Sequence, residues 1–92
     1  MAEKYIIRTQ HAGVFYGEIA SRNGGEADLC NVRRIWQWSG ASECIQLAME
    51  GCAPSSKITM PANEITVLGV IEIHPVTEAA QAKFDAVPIW KA

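Results

Sequence analysis

The stretch VFYGEIASRNGGEADLCNVRRIWQW, residues 14–38, decides the fold. β-Branched and aromatic residues flank Asn23-Gly24-Gly25, and Asn-Gly accepts the positive φ of a type I′ turn, so the stretch predicts a β-hairpin. Up to Leu29 the apolar residues of the second arm favour one face, and from Cys30 onwards they favour the other. A β-bulge near Asn31 reconciles the two phases.

Patterns on both sides of the hairpin predict the other elements. We expect strands at 4–10, 14–22, 26–38 and 65–73, helices at 39–51 and 77–87, and a loop at 52–64 with a short edge strand. Ser39 or Ser42 is expected to cap the first helix and Thr77 the second, with Gly51 ending the first. The order β-β-β-α-β-α predicts an α+β fold. Its antiparallel sheet contains the hairpin with its long third strand and a central fourth strand, and two short helices lie on one side.

Length and composition restrict the functional classes. Ninety-two residues, 49% of them hydrophobic, predict a single domain, 1–92, with its own core. The net charge of −2 gives no basic face for duplex DNA, although all four arginines lie within the first 34 residues. Three cysteines without zinc spacing are expected to be free thiols. We find no signal-peptide pattern and no apolar run of membrane length, which favours a soluble intracellular protein without a membrane partner.

Arg33, Arg34, Trp36 and Trp38 form the most unusual cluster. Regular alternation places Arg34, Trp36 and Trp38 on one face of the third strand. One interpretation is a core face whose edge is capped by an arginine. The other is a site for a flat anionic ligand, because guanidinium grips phosphate in a bidentate manner and indole stacks on rings.

Neighbouring residues extend this candidate site. Ser39 and Gly40 stand where the third strand meets the first helix, and a helix N-terminus attracts anions, although Glu43 would compete there. Phe15 or Tyr16 is expected to form one wall of the pocket or a dimer surface. Alternatively, the glycines around them, Gly13 and Gly17, serve a turn and close packing.

Catalytic patterns are absent from the sequence. His11 and His74 are far apart in the chain, no serine or cysteine has a nucleophile motif, and the carboxylates are scattered singly. No metal-ligand spacing or cofactor motif is present either. We therefore predict a protein that is not an enzyme and has neither metal nor cofactor.

Several motifs together resemble a family of small proteins of tailed phages and prophages. They are AGVFYG (12–17), SRNG (21–24), NVRRIWQWSGA (31–41), QLAMEG (46–51), VIEIHPVTEAA (70–80) and VPIW (87–90). The resemblance spans nearly the whole chain, and its most distinctive block is the arginine and tryptophan segment. It implies a setting, the cytoplasm of an infected bacterium, and no activity or site residue.

These observations lead to one main hypothesis and two alternatives. The first is a phage accessory protein, active in counter-defence, that sequesters a small anionic nucleotide signal as a homodimer or higher homo-oligomer. Arg33 and Arg34 would hold phosphate and Trp36 or Trp38 would stack. The alternatives are an inhibitor or adaptor that binds a host protein through the same cluster, and a binder of single-stranded nucleic acid.

Overall fold

The computed structural model describes residues 3–91 and contains six strands and two helices in that range. In chain order they are β1 (Tyr5–Thr9), β2 (Val14–Asn23), β3 (Glu26–Gln37), α1 (Cys44–Glu50), β4 (Lys57–Ile58), β5 (Ala62–Val67), β6 (Val70–Pro75) and α2 (Glu78–Ala86). The strands form one antiparallel sheet. The predicted α+β class, an antiparallel sheet with two short helices, is confirmed.

The β2–β3 hairpin forms where the sequence predicts it. Asn23 pairs with Glu26, and the two residues between them make the turn. Gly24 has a φ of 62°, and a side chain would strain this conformation. The turn is therefore formed by Gly24 and Gly25, one residue later than the Asn23-Gly24 pair that predicted it.

The predicted bulge in β3 is confirmed at Asn31. Tyr16 pairs with Arg33 and Glu18 pairs with Cys30, so β3 carries one residue more than β2 between these pairs. Asn31 takes the left-handed conformation, with a φ of 46°, as asparagine does more readily than most residues. Because of the extra residue, each side chain after Asn31 in β3 points to the opposite face of the sheet from the one that regular alternation would give it.

The sheet curls so that the end of β5, on one edge, lies close to the start of β6, on the other. In the order β4-β3-β2-β1-β6, β5 also pairs with β3, so β5 and β6 belong to opposite edges. Residues 65–73, predicted as one central strand, are divided between them by a bend at Leu68–Gly69, where Gly69 has a φ of 72°. The Val70 N–H, at the start of β6, donates to the Gly25 carbonyl in the turn between β2 and β3 (2.9 Å). The antiparallel pairings make β5 and β6 run in the same direction. The apolar pattern therefore continues through the bend, and the sequence pattern gives no sign that two strands are present.

Two cores lie on the two faces of the curled sheet. The core inside the curl is built from Ile7, Phe15, Ala27, Leu29, Val32 and Val67. The second core lies between the outer face and the helices and contains Ile6, Tyr16, Ile35, Cys44, Leu47, Ala48, Cys52, Ile58, Ala80, Phe84 and Val87. Adjacent residues of one strand thus serve different cores, as the two-residue period of a strand requires.

The second helix agrees with its prediction and the first is shorter. Thr77 caps α2 by accepting from the Ala80 N–H, and the apolar residues Ala80, Phe84 and Val87 are buried. The helix α1 begins only at Cys44, and its cap is Glu43, so the expectation of a serine cap is wrong. Gly51 ends α1 as predicted. In the range 3–91, neither helix has the length and apolarity needed to cross a bilayer.

Candidate functional site

The eight residues predicted to bind a ligand occupy three different places. Tyr16, Arg33 and Trp38 belong to the helix side of the sheet, and Ser39 and Gly40 to the corner before α1. Arg34 and Trp36 lie at the surface, with Phe15 buried next to Arg34. The structure therefore does not assemble one pocket from all eight.

Arg33 is a structural residue. Its side chain is 6% exposed, and its guanidinium donates to backbone carbonyls only. The two shortest bonds reach the carbonyls of Thr59 (2.7 Å) and Phe84 (2.9 Å). Burial lowers the pKa of Arg33 and the Asp85 carboxylate opposes this, but a guanidinium stays charged in proteins. The prediction that Arg33 holds phosphate is not supported, because the bulge at Asn31 turns it towards the helices.

Tyr16 and Phe15 are both fully covered. Tyr16 stacks on Phe84 with ring centroids 4.5 Å apart, and its hydroxyl donates to Asp85 (3.1 Å). Burial, followed by the Asp85 carboxylate, raises the pKa of Tyr16 well above its usual value. Phe15 lies inside the curl, under the guanidinium of Arg34. Neither ring can therefore contact a ligand directly. Phe15 supports the guanidinium of Arg34, which lies over its ring.

The corner before α1 offers no anion site. The Glu43 carboxylate accepts the N–H groups of Ile45 (2.8 Å) and Gln46 (3.3 Å), the positions an anion would need. The Ser39 N–H donates to Ser56 Oγ, and the Ser39 carbonyl accepts from Ala53 N–H. Ser39 and Gly40 therefore fasten the corner to the loop after α1.

Trp36 and Trp38 do not share a face, contrary to the regular alternation expected for β3. Between the pairs Ile35–Ile58 and Gln37–Lys57, β3 again carries an extra residue. Trp38 packs partly against the helix-side core and donates its Nε1 hydrogen to Ala41 O (3.2 Å). Trp36 is 58% exposed. Trp38 therefore has a structural role, and Trp36 is accessible to a ligand or a partner.

Trp36 belongs to an exposed aromatic and cationic surface that includes residues from the end of the chain. Its ring stacks on that of Trp90, with centroids 4.9 Å apart and planes 25° apart. Lys57 Nζ lies 5.5 Å from the Trp36 centroid and 5.7 Å from that of Trp90. We call Trp36, Trp90, Lys57 and Arg34 the indole surface. Sequence reasoning missed Trp90 and Lys57, because only the fold brings them to β3: the Trp90 N–H donates to Ile58 O.

Arg34 lines two grooves. The indole groove, about 420 Å³, is lined by His11, Ala12, Gly13, Arg34, Ile35 and Trp36. The apolar groove, about 400 Å³, shares His11, Ala12 and Arg34 and continues along Ile65–Gly69. The Arg34 Cζ lies 5.1 Å from the Phe15 ring centroid. This cation–π contact holds the guanidinium over the Phe15 ring.

The cations of the indole surface form no ion pair within the described part of the chain. The ion pairs found among residues 3–91 are Lys4–Glu18, Arg8–Glu72 and His74–Glu72, and none of them involves Arg34 or Lys57. Among the same residues, no carboxylate lines either groove. Two cations therefore lie beside two indoles without an ion-pair partner from residues 3–91.

Comparison with known proteins places the chain in a family. The model of the family described as Domain of unknown function (DUF6948) matches residues 2–84. The chain belongs to this family. No curated protein matches it, and no solved structure matches it. The DUF6948 match includes Arg34, Trp36 and Lys57, whereas Trp90 lies beyond it. The phage setting implied by the sequence motifs stays a prediction.

Proposed function

We propose that this DUF6948 protein is a non-enzymatic binding protein whose indole surface captures a small anionic nucleotide. The observation that carries the proposal is the pair of stacked, exposed tryptophans beside two cations that form no ion pair within residues 3–91. An exposed indole pair is costly to keep in water unless something covers it.

The chemistry of the surface matches the two halves of a nucleotide. Arg34 offers a planar fork of donors for phosphate oxygens, and Lys57 adds a second positive charge. Trp36 offers an aromatic face for a base, and its contact with Trp90 fixes the ring before the ligand arrives, which lowers the entropic cost of binding. The absence of carboxylates from both groove linings spares an anion from repulsion.

These side chains favour binding of a ligand over its chemical conversion. Guanidinium, ammonium and indole groups hold charges and rings. The hydroxyl among the described lining residues is that of Thr66, and it donates to the Asp28 carboxylate (2.6 Å) instead of to a general base such as His11. In the phage setting that the motifs imply, stoichiometric capture of a nucleotide signal in the host cytoplasm would suffice for counter-defence.

A thermal-shift panel of mono-, di- and cyclic nucleotides tests this proposal. A ligand at about 100 times its Kd stabilises the fold by roughly 2.7 kcal/mol, which raises the Tm by about 10 to 20 °C for a domain of this size. Arg34→Gln and Trp36→Ala should each abolish the shift. Arg22→Gln, which alters an exposed arginine near the hairpin tip, should retain it. A Tm that no nucleotide raises, or a full shift in Arg34→Gln, would refute the proposal.

The exposed tryptophans also favour a second candidate, an inhibitor or adaptor that binds a host protein or a second copy of this chain. Tryptophan and arginine are the residues most enriched at interface hot spots. This candidate predicts that Trp36→Ala changes the sedimentation coefficient of the purified protein, or removes a stoichiometric complex with a bacterial protein. A third candidate, single-stranded nucleic acid, predicts salt-dependent binding of oligonucleotides to the same surface.

A further inference from the structure

The apolar groove has features that the proposed capture of a single base leaves unused. It extends from Arg34 to the end of β5 and the bend into β6, and its walls include Ile65, Val67 and Leu68. Leu68 is 66% exposed at the bend, although nothing in the turn itself requires a leucine there. An apolar wall of this kind, next to a free guanidinium, accepts a ring that carries an anion.

The two grooves share one cation. Trp36 lines the indole groove, Leu68 lines the apolar groove, and Arg34 lines both, together with His11 and Ala12. Each groove has a volume of about 400 Å³, near the lower limit of ordinary ligand pockets. A ligand that filled both would place one ring in each groove and its charge at the shared guanidinium.

We infer that the ligand is a dinucleotide, with one base on Trp36, the second base against Leu68 and a linking phosphate on Arg34. This inference rests on the proposed function and specifies the class of nucleotide. Joining two bases makes the second contact intramolecular, which raises affinity strongly without any new kind of interaction.

The walls also determine how selective the site is. Indole and aliphatic side chains contact the face of a base and make no hydrogen bonds to its edge, so stacking tolerates any base. We therefore expect adenine and guanine dinucleotides to bind within about tenfold of each other.

Calorimetric titration of the full-length protein compares adenosine monophosphate with 5′-phosphorylated diadenylate and with cyclic diadenylate. At least one dinucleotide should bind about 100-fold more tightly than the mononucleotide, or better. Leu68→Gln should remove most of this advantage and leave the mononucleotide affinity unchanged. Met49→Gln changes an exposed apolar side chain on α1, away from both grooves, and should leave all affinities unchanged.

The possible outcomes separate this inference from the proposed function. Dinucleotides that bind within threefold of a binding mononucleotide would overturn the inference and leave nucleotide capture standing. Equal weakening of mononucleotide and dinucleotide by Leu68→Gln would also overturn it, because the apolar groove would then hold the first base. If no nucleotide binds, the proposed function itself fails.

Discussion

Replacement of Arg33 by methionine is expected to destabilise the fold far more than the same replacement of its neighbour Arg34. Arg33 donates to carbonyls of β4, of the residue after it and of the C-terminal end of α2, so it ties helix to sheet. Methionine keeps the length and apolar stem of the side chain and removes its donors. Arg34 makes no such bonds through its guanidinium within residues 3–91.

The magnitude follows from the bonds lost. Hydrogen bonds from a charged donor contribute about 1.5 to 3 kcal/mol each, and two of those made by Arg33 are shorter than 3 Å. A buried carbonyl left without its donor costs about 1 to 3 kcal/mol. For the two closest carbonyls together we expect a loss of about 3 to 5 kcal/mol, from a free energy of unfolding of roughly 5 to 14 kcal/mol for 92 residues. Arg34→Met loses only an exposed cation–π contact, about 0.5 to 1 kcal/mol.

Urea unfolding followed by circular dichroism gives the free energy of unfolding of both variants, and thermal unfolding gives their Tm. For Arg33→Met the Tm should fall by at least about 12 °C, since each kcal/mol corresponds to roughly 4 to 8 °C in a domain of this size. If the free energies of unfolding of the two variants differ by less than about 1 kcal/mol, the structural role given to Arg33 is wrong. The assignment of a structural role to Arg33 and a binding role to Arg34 would then also be wrong.

Three further substitutions test the fold at single residues. Tyr16→Phe keeps the ring and removes a hydroxyl whose pKa is raised by burial and by Asp85. Above about pH 10 the unfolded chain loses this proton and the folded protein keeps it. The wild-type free energy of unfolding should therefore fall by about 1.4 kcal/mol more per pH unit than that of the variant, as urea titrations would show. Gly17→Ala brings a Cβ to 2.7 Å from the Val32 Cα, and it should cost about 1 to 3 kcal/mol in chemical denaturation. Glu43→Ala removes the α1 cap, and calorimetry should show a loss of about 1 kcal/mol; an unchanged Tm would contradict the capping geometry.

The parts of the fold that sequence predicts depend on local chemistry. A glycine-containing turn, the phase change at Asn31 and the Thr77 cap of α2 each leave their signal within a few residues. The bend at Leu68–Gly69 has no comparable signal, because both strands that it joins are apolar and a lone glycine is a weak marker. Its position depends on pairing with β1 and β3, which are distant in sequence.

The candidate site was less predictable, for two physical reasons. The bulge at Asn31 determines which of the two adjacent arginines points to the buried face of β3. A shift of the strand register by one residue would exchange the faces of Arg33 and Arg34. Trp38 and Trp36 are separated in the same way by the extra residue opposite β4. Trp90 meets Trp36 only because residues 88–90 return to β4, a tertiary contact that no local pattern contains.

The most direct test of nucleotide capture is a ¹⁵N–¹H spectrum of the three indole Nε1–H groups during titration with the tightest-binding nucleotide. We expect the Trp36 resonance to shift strongly and the Trp90 resonance to shift with it. The Trp38 resonance serves as an internal control and should stay in place, because its Nε1–H is bonded to Ala41 O on the helix side. A Trp36 resonance that stays fixed at saturating nucleotide, or a Trp38 resonance that moves as far as that of Trp36, would contradict binding at the indole surface.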